Sequence, residues 1–251
     1  MKQLSRLIAQ RILHTIMRTR SAAQNQRSES CPAIGEVNFG SLRRVTPISW
    51  NWGYGRGRPI DRYYIENFLQ ENATDIRGRV LEIGDDVYTR RFGGDQVTKR
   101  DVLHVEEGNP LTTIVADLTR ANHVPSDIFD CIIFTQTLHL IYDTHVALKT
   151  LHRILKPKGV LLATFPGITQ LSQHEWAESW FWHFTRFSAR RLFEEVFSPA
   201  NIYVESQGNV LAASAFLYGI AMEELSVDEL NYHDPDYEVL ITARAVKSET
   251  V

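Results

Sequence analysis

The chain has 251 residues, 43% of them hydrophobic and 23% charged, with 14 Gly and 9 Pro, proportions that exclude a disordered, collagen-like or disulfide-stapled chain and suit one domain with additions. The formal charge of -3 is unevenly shared. The first 28 residues carry six basic groups (Lys2, Arg6, Arg11, Arg18, Arg20, Arg27) and no acid, which leaves 21 basic against 30 acidic groups in the body, a net of −9 that argues against a nucleic-acid partner.

Residues 1–24 space Leu4, Ile8, Ile12 and Ile16 four apart, with Leu7 and Met17 beside them and arginines on the remaining surface. That spacing predicts an amphipathic basic helix. Docking on protein, a membrane-surface anchor and a transit peptide all fit it, and the sequence does not choose among them. Residues 25–57 read as a linker or arm, scattered with Ser, Gln, Gly and Pro through Arg44. The two cysteines, Cys31 and Cys131, are too few for a disulfide framework, so a reducing, cytoplasmic setting is expected.

From Arg58 to the C-terminus the texture is that of one domain in which short apolar runs alternate with helical patterns, the signature of βαβ units and a parallel sheet. Tyr63, Tyr64, Ile65, Phe68 and Leu69 share one helix face. Strands are expected at Arg79–Ile83, Val97–Val102, Thr113–Ala116, Phe129–Thr135, Val160–Phe165, Ile202–Glu205 and Val239–Ala245. Before the fifth strand, Ala147, Leu148, Leu151, Ile154 and Leu155 recur at helical spacing, and Lys156-Pro157-Lys158-Gly159 ends that helix and turns the chain. Residues 167–186 read as an aromatic insertion, Phe187–Phe197 as a helix, and Ala212–Leu230 as a long helical excursion. The longest mostly apolar stretch, Val210–Ala221, is well short of the roughly 18 to 20 residues that span a bilayer.

Ligands of an open parallel sheet bind beyond the carboxyl ends of its strands, so the residues just after each strand carry the argument. Here they are Glu82-Ile83-Gly84-Asp85-Asp86, Asp101, Asp117-Leu118 and Thr135-Gln136-Thr137-Leu138-His139. One acid at a strand end often just caps the next helix. Acids at three successive ends suggest a ligand with hydroxyls, an amine or a positive charge. No G-x-G-x-x-G follows a strand, which argues against a dinucleotide, and nothing spaces His, Asp and Glu as a metal site.

Val80-Leu81-Glu82-Ile83-Gly84, then Asp101, Ala116-Asp117-Leu118, Phe129-Asp130-Cys131-Ile132-Ile133 and Leu155-Lys156-Pro157-Lys158-Gly159, in that order and spacing, resemble the class I S-adenosylmethionine-dependent methyltransferases. The later Trp182-His-Phe-Thr185 and Gly208-Asn-Val210 look like a bacterial subgroup of uncharacterised type 11-like members. The resemblance implies a Rossmann-like seven-stranded sheet, mostly parallel with the last strand antiparallel and with helices on both faces. It also implies S-adenosylmethionine as cofactor. Carried over by position, it implies that Glu82, Gly84 and Asp85 surround the cofactor's amino-acid end and that Asp101 binds the ribose hydroxyls, with Val102 beside it. Asp117 and Leu118 would meet adenine, and Thr135 and Gln136 would lie near the methionine portion. The first loop departs from the family's E-x-G-x-G-x-G, since only Gly84 of its three glycines remains and Asp85-Asp86 follow it.

Among acceptor-side residues, His139 is the first candidate for a general base toward a hydroxyl, with packing on the next helix as its structural alternative. Asp143 and His183 are weaker candidates. The five tryptophans fall in two clusters, Trp50 with Trp52 and Trp176, Trp180 with Trp182. Trp52, Trp176, Trp180, Trp182 and His183 are the expected acceptor wall, or else a hydrophobic cluster closing the domain. Arg56, Arg58, Asp61 and Arg62 read as a clamp for a carboxylate or phosphate, or as a solvated turn and helix start. The expectation is a methyltransferase of a small-molecule acceptor, an O-methyltransferase of a natural product or glycan. The alternatives are a non-catalytic binding or scaffold protein with a degenerate cofactor loop and a nicotinamide-dependent oxidoreductase. Oligomeric state is not legible.

Overall fold

The computed structural model describes residues 32–171 and 176–249. The expected helix over residues 1–24 and Cys31 lie outside the described residues. Two compact units divide the chain, residues 1–45 and Thr46–Val251. In the first, the described residues include one 3-10 turn, Gly40–Leu42, with no buried side chain. The second unit opens at Thr46, so residues 46–57 belong to it together with everything from Arg58 onward.

Seven strands form the sheet of this second unit: β1 Gly78–Ile83, β2 Val97–His104, β3 Ile114–Val115, β4 Phe129–Thr135, β5 Leu155–Pro166, β6 Ile202–Gln207 and β7 Leu240–Val246. Their order is β3-β2-β1-β4-β5-β7-β6, with β7 antiparallel to both of its neighbours and the other pairs parallel. Among the described residues five α-helices accompany them: α1 Ile60–Glu71, α2 Thr144–Ile154, α3 Arg186–Glu194, α4 Val210–Leu217 and α5 Val227–Asn231.

Alternate side chains of the central strands feed two cores, as expected for a sheet covered on both faces. Leu81, Ile132, Phe134, Leu161, Ala163 and Ile241 pack with Leu148 and Leu151 of α2 and Phe193 of α3. Val80, Ile133, Leu162 and Leu240 pack with Ile60, Tyr64, Ile65, Phe68 and Leu69 of α1 and Ala212 and Phe216 of α4. Polar caps fix the helix starts. Asp143 accepts from the Val146 N–H at the head of α2, Thr185 and Ser188 form a capping box on α3, and the Asn209 Oδ1 accepts from Ala212 N at 2.9 Å on α4.

Three expectations are corrected. First, β2 runs to His104, because Leu103 and His104 pair with Ile114 and Val115 of β3; Asp101 therefore lies inside the strand, opposite Leu81, and not at its end. Second, Lys156–Gly159 is a bulge within β5 and not a turn before it. Leu155 already pairs with Phe129, the next pair is Cys131 with Val160, and Lys158 takes up the intervening length at φ +65°. Third, residues 212–230 do not form one helical run. Backbone N–H groups of Ile48 and Ser49 both donate to the Tyr218 carbonyl, and Gly219 turns the chain at φ +68°, where a Cβ would overlap the Ser49 carbonyl oxygen. The crossovers from β2 to β3 and from β3 to β4 contain no helix, and the one after β1 holds a π-helical turn, Thr89–Gly93, and a 3-10 turn, Gly94–Gln96. No helix among the described residues is long and apolar enough to cross a membrane.

Candidate functional site

A cavity of about 980 Å³ crosses the carboxyl ends of β1 to β4, at the upper end of the roughly 300–1,000 Å³ range of small-molecule sites. Its floor is Glu82, Ile83, Gly84 and Asp85 at the end of β1, Leu103 to Glu106 at the end of β2, Ala116 to Leu118 after β3 and Thr135 to Thr137 at the end of β4. Two further walls complete it. One is the start of α1 with the residues before it, and the other is the aromatic segment after β5.

Glu82 is 2% exposed, and its two oxygens accept from the backbone N–H groups of Tyr88 (3.1 Å) and Thr89 (2.7 Å), tying the first loop to the end of β1. Burial pushes its carboxyl up to about 8 against those hydrogen bonds, and the Asp85 charge adds to the rise. Glycine suits position 84, where φ is +85°, and a Cβ there would meet no atom within 4 Å, so a ligand can approach the backbone closely, although the N–H donates to the Leu103 carbonyl and the carbonyl accepts from Asn109. Asp85 lines the cavity and its Oδ1 accepts from Val87 N at 3.0 Å. Asp86 does not line it; Arg90 at 2.8 Å and Arg100 at 3.3 Å hold its carboxylate elsewhere. The loop is thus not crowded by its second aspartate.

Asp101 and Val102 are not part of this cavity, which corrects the expectation for β2. Asp101 is 3% exposed and bonded to Arg79 at 2.7 Å and to the Thr113 hydroxyl at 3.2 Å, with Lys99 at 3.5 Å. Burial opposes its charge, yet the Arg79 guanidinium holds the carboxyl below its usual range. Val102 lines a separate recess of about 340 Å³. The acid that does stand beyond β2 is Glu106, exposed and lining the cavity. Sequence reasoning missed it because Leu103 and His104 looked like the start of a loop; the signal was Val105-Glu106 at the end of a strand two residues longer. Asp117, exposed, accepts from the Thr119 N–H and hydroxyl, both at 2.8 Å, and lines the cavity with Leu118. Gln136 adopts φ +46° at the turn out of β4, and its N–H donates to the Thr164 carbonyl.

His139 is 3% exposed in the 3-10 turn Leu138–Leu140. Burial, with a contribution from His183, lowers its pKa to about 3, and its Nδ1 is buried without a partner. Its carbonyl receives the N–H groups of Phe181 and Trp182, which anchors the aromatic segment. The Trp180 ring lies 4.3 Å from the His139 ring and stacks on Trp52 at 6.0 Å. Trp52, Trp176 and Trp180 line the cavity. Trp182 and His183 do not; the Trp182 indole donates to the Ile141 carbonyl and packs on Tyr142, and His183 meets the edge of Trp180. Asp143 is the α2 cap.

Around α1, Arg58, Asp61, Arg62 and Glu66 line the cavity with Tyr54, Tyr88 and Arg91. Arg56 is drawn away to Glu224 at 2.6 Å. The mixed charge is unusual for a solvated helix start, because Asp61 Oδ1 is buried with no hydrogen-bond partner.

Residues 52–163 match the family profile described as a methyltransferase domain. No curated protein matches the chain. Among solved structures it is similar to a SAM dependent methyltransferase from Archaeoglobus fulgidus, at 11% identity over 74% of this chain and 94% of that one with a TM-score of 0.51. It is also similar to the (4+2)-cyclase SpnF, at 15% identity over 82% and 87% with a TM-score of 0.50. The N-methyltransferase NodS of Bradyrhizobium japonicum, in complex with S-adenosylhomocysteine, aligns at 13% identity over 77% and 90%, with a TM-score of 0.48. Likeness at such identity speaks for the fold alone.

Proposed function

We propose that the chain, whose residues 52–163 match a methyltransferase domain, is a class I S-adenosylmethionine-dependent methyltransferase that methylates a hydroxyl of a small or medium-sized acceptor, a glycan or natural product. The cavity's residues fit the cofactor. Gly84 allows close approach to the backbone at the end of β1, acids stand beyond β2 and β3, and the volume leaves space for a second molecule beside the nucleoside. Glu106 takes the part that the resemblance assigned to Asp101, accepting hydrogen bonds from the ribose hydroxyls; two charge-assisted bonds from vicinal hydroxyls are strong. Asp117 and the Leu118 N–H meet the adenine edge. Thr135 and Gln136 lie below the methionine portion.

Bound there, S-adenosylmethionine supplies a methyl group already activated as a sulfonium. The protein's work is to position the acceptor in line and keep water out, and effective molarities of about 10⁵ M or more measure how much positioning gives. Trp52, Trp176 and Trp180 wall the acceptor side, and their faces suit sugar or planar rings.

The observation that carries the hydroxyl is the His139 imidazole, neutral and only 3% exposed at the cavity wall with an unpartnered Nδ1. Burial makes it a weak base at rest, but also keeps it unprotonated and able to accept a hydrogen bond. Transfer would break the sulfur–methyl bond and leave a neutral thioether as the carbon–oxygen bond forms; the hydroxyl proton, made strongly acidic by that bond, would pass to His139, for which a weak base suffices. Supplying labelled methyl donor with a panel of sugars, phenols and amines tests this. Label should pass to hydroxyl compounds and fall about 10²- to 10⁴-fold in His139→Gln; transfer to amines alone would overturn the oxygen reading.

A further inference from the structure

The first loop has one glycine where the family pattern has three, yet the amino-acid end of the cofactor needs partners for both a carboxylate and an ammonium. Asp85, which accepts from Val87 N with one oxygen, can meet an ammonium but not a carboxylate. Across the cavity, adjacent residues in the first turn of α1 present the complementary pair. Asp61 lines the cavity, and its Oδ1 is buried and meets no donor. Such an atom is costly to leave unmet and calls for a missing partner. Arg62 lines the same wall. Its Nε donates to the Tyr54 hydroxyl at 3.0 Å and its Nη1 to the Tyr88 hydroxyl at 3.4 Å. Both are neutral acceptors, and they hold the fork in place while leaving N–H donors for an anion.

The neighbouring charges are already matched. Glu66 bridges Arg58 at 3.3 Å and Arg91 at 2.9 Å, and Arg58 also reaches Glu223. Asp61 and Arg62 have no such ion pair across the chain, and their charges attract each other within the first turn of α1. Tyr88 connects them to the first loop, since its N–H donates to Glu82 at the end of β1.

We propose that Asp61 and Arg62 bind a zwitterionic α-amino-acid group, the ammonium on Asp61 Oδ1 and the carboxylate on the Arg62 fork, so that α1 takes over for the cofactor's methionine end the work the glycine-poor loop does not do. This rests on the reading of the cavity as the cofactor site. The pair would set affinity for the amino-acid end without touching the nucleoside.

Calorimetry with two probes separates those parts: S-adenosylhomocysteine, which has the amino-acid end, and methylthioadenosine, which lacks it. Asp61→Asn and Arg62→Gln should each weaken S-adenosylhomocysteine by about tenfold or more, as expected for loss of a charge-assisted hydrogen bond. Methylthioadenosine should bind wild type and variants alike to within about twofold, which also reports that the variants are folded. Should Arg62→Gln lose both probes, Tyr88→Phe, which removes one anchor of the fork, gives the decision by a selective loss of S-adenosylhomocysteine. Unchanged affinity for both probes in Asp61→Asn and Arg62→Gln, or equal losses of both in Asp61→Asn and Tyr88→Phe, overturns the proposal. A wild type that binds neither probe overturns instead the reading of the cavity on which it rests.

Discussion

Asp101 and Glu82 are buried acids on adjacent strands, and their partners send their charges in opposite directions. Asp101 faces a guanidinium, an ammonium and a hydroxyl and stays ionised. Glu82 faces two backbone N–H groups and the Asp85 charge, and burial wins. A carboxyl whose folded pKa is raised contributes stability that is fully present below its unfolded pKa, near 4.3, and is lost as pH rises through about 8. Glu82→Gln should remove that dependence, so the stability difference between variant and wild type should move in the variant's favour from pH 5 to pH 8. The relative slope can approach about 1.4 kcal/mol per pH unit. Chemical denaturation of both proteins at several pH values measures it, and parallel pH profiles would show that Glu82 is ionised throughout.

Elements that turn on periodicity were legible in the sequence: β4 has its expected bounds, and the apolar faces of α1 and α2 are buried, except that Tyr63 is half-buried and Leu155 already belongs to β5. Elements that turn on a partner were not. Nothing local marks Leu103-His104 as strand; it is their pairing with Ile114-Val115 that extends β2 and moves the strand-end acid from Asp101 to Glu106. Likewise the helical pattern through Ala212–Leu230 is broken at Gly219 by a close approach of residues 48 and 49, far away in sequence. Asp61 and Arg62 stood out in the sequence as a possible clamp, but their placement in the cavity depends on how α1 packs. Asn209 shows the same long-range logic. Beyond capping α4, its Nδ2 donates to the carbonyls of Glu229 (2.7 Å) and Tyr232 (2.8 Å), joining α4 to the end of α5 while only 4% exposed. Asn209→Ala should cost about 2–4 kcal/mol, a lost cap plus two unmet carbonyls, visible as a lowered thermal midpoint. A loss under about 0.5 kcal/mol would mean that water replaces these bonds.

At the scale of the whole molecule, the acidity of the body is divided between two uses. Glu82, Asp85, Glu106 and Asp117 line one cavity at the carboxyl edge, whereas Asp75, Asp86, Asp101 and Asp130 neutralise arginines and lysines within the fold. The crossovers beside the cavity on the β2–β3 side carry no helix, so that end is built from strand ends and loops, and the other end from α1 and three tryptophans. The claim that this cavity is the S-adenosylmethionine site is tested most directly by calorimetric titration of S-adenosylhomocysteine into wild type, Glu106→Ala and Asp101→Ala. The account predicts saturable binding to wild type, a loss of about 10- to 100-fold in Glu106→Ala, and affinity within about twofold of wild type in Asp101→Ala. No binding by wild type at millimolar ligand, or a loss confined to Asp101→Ala, would contradict it.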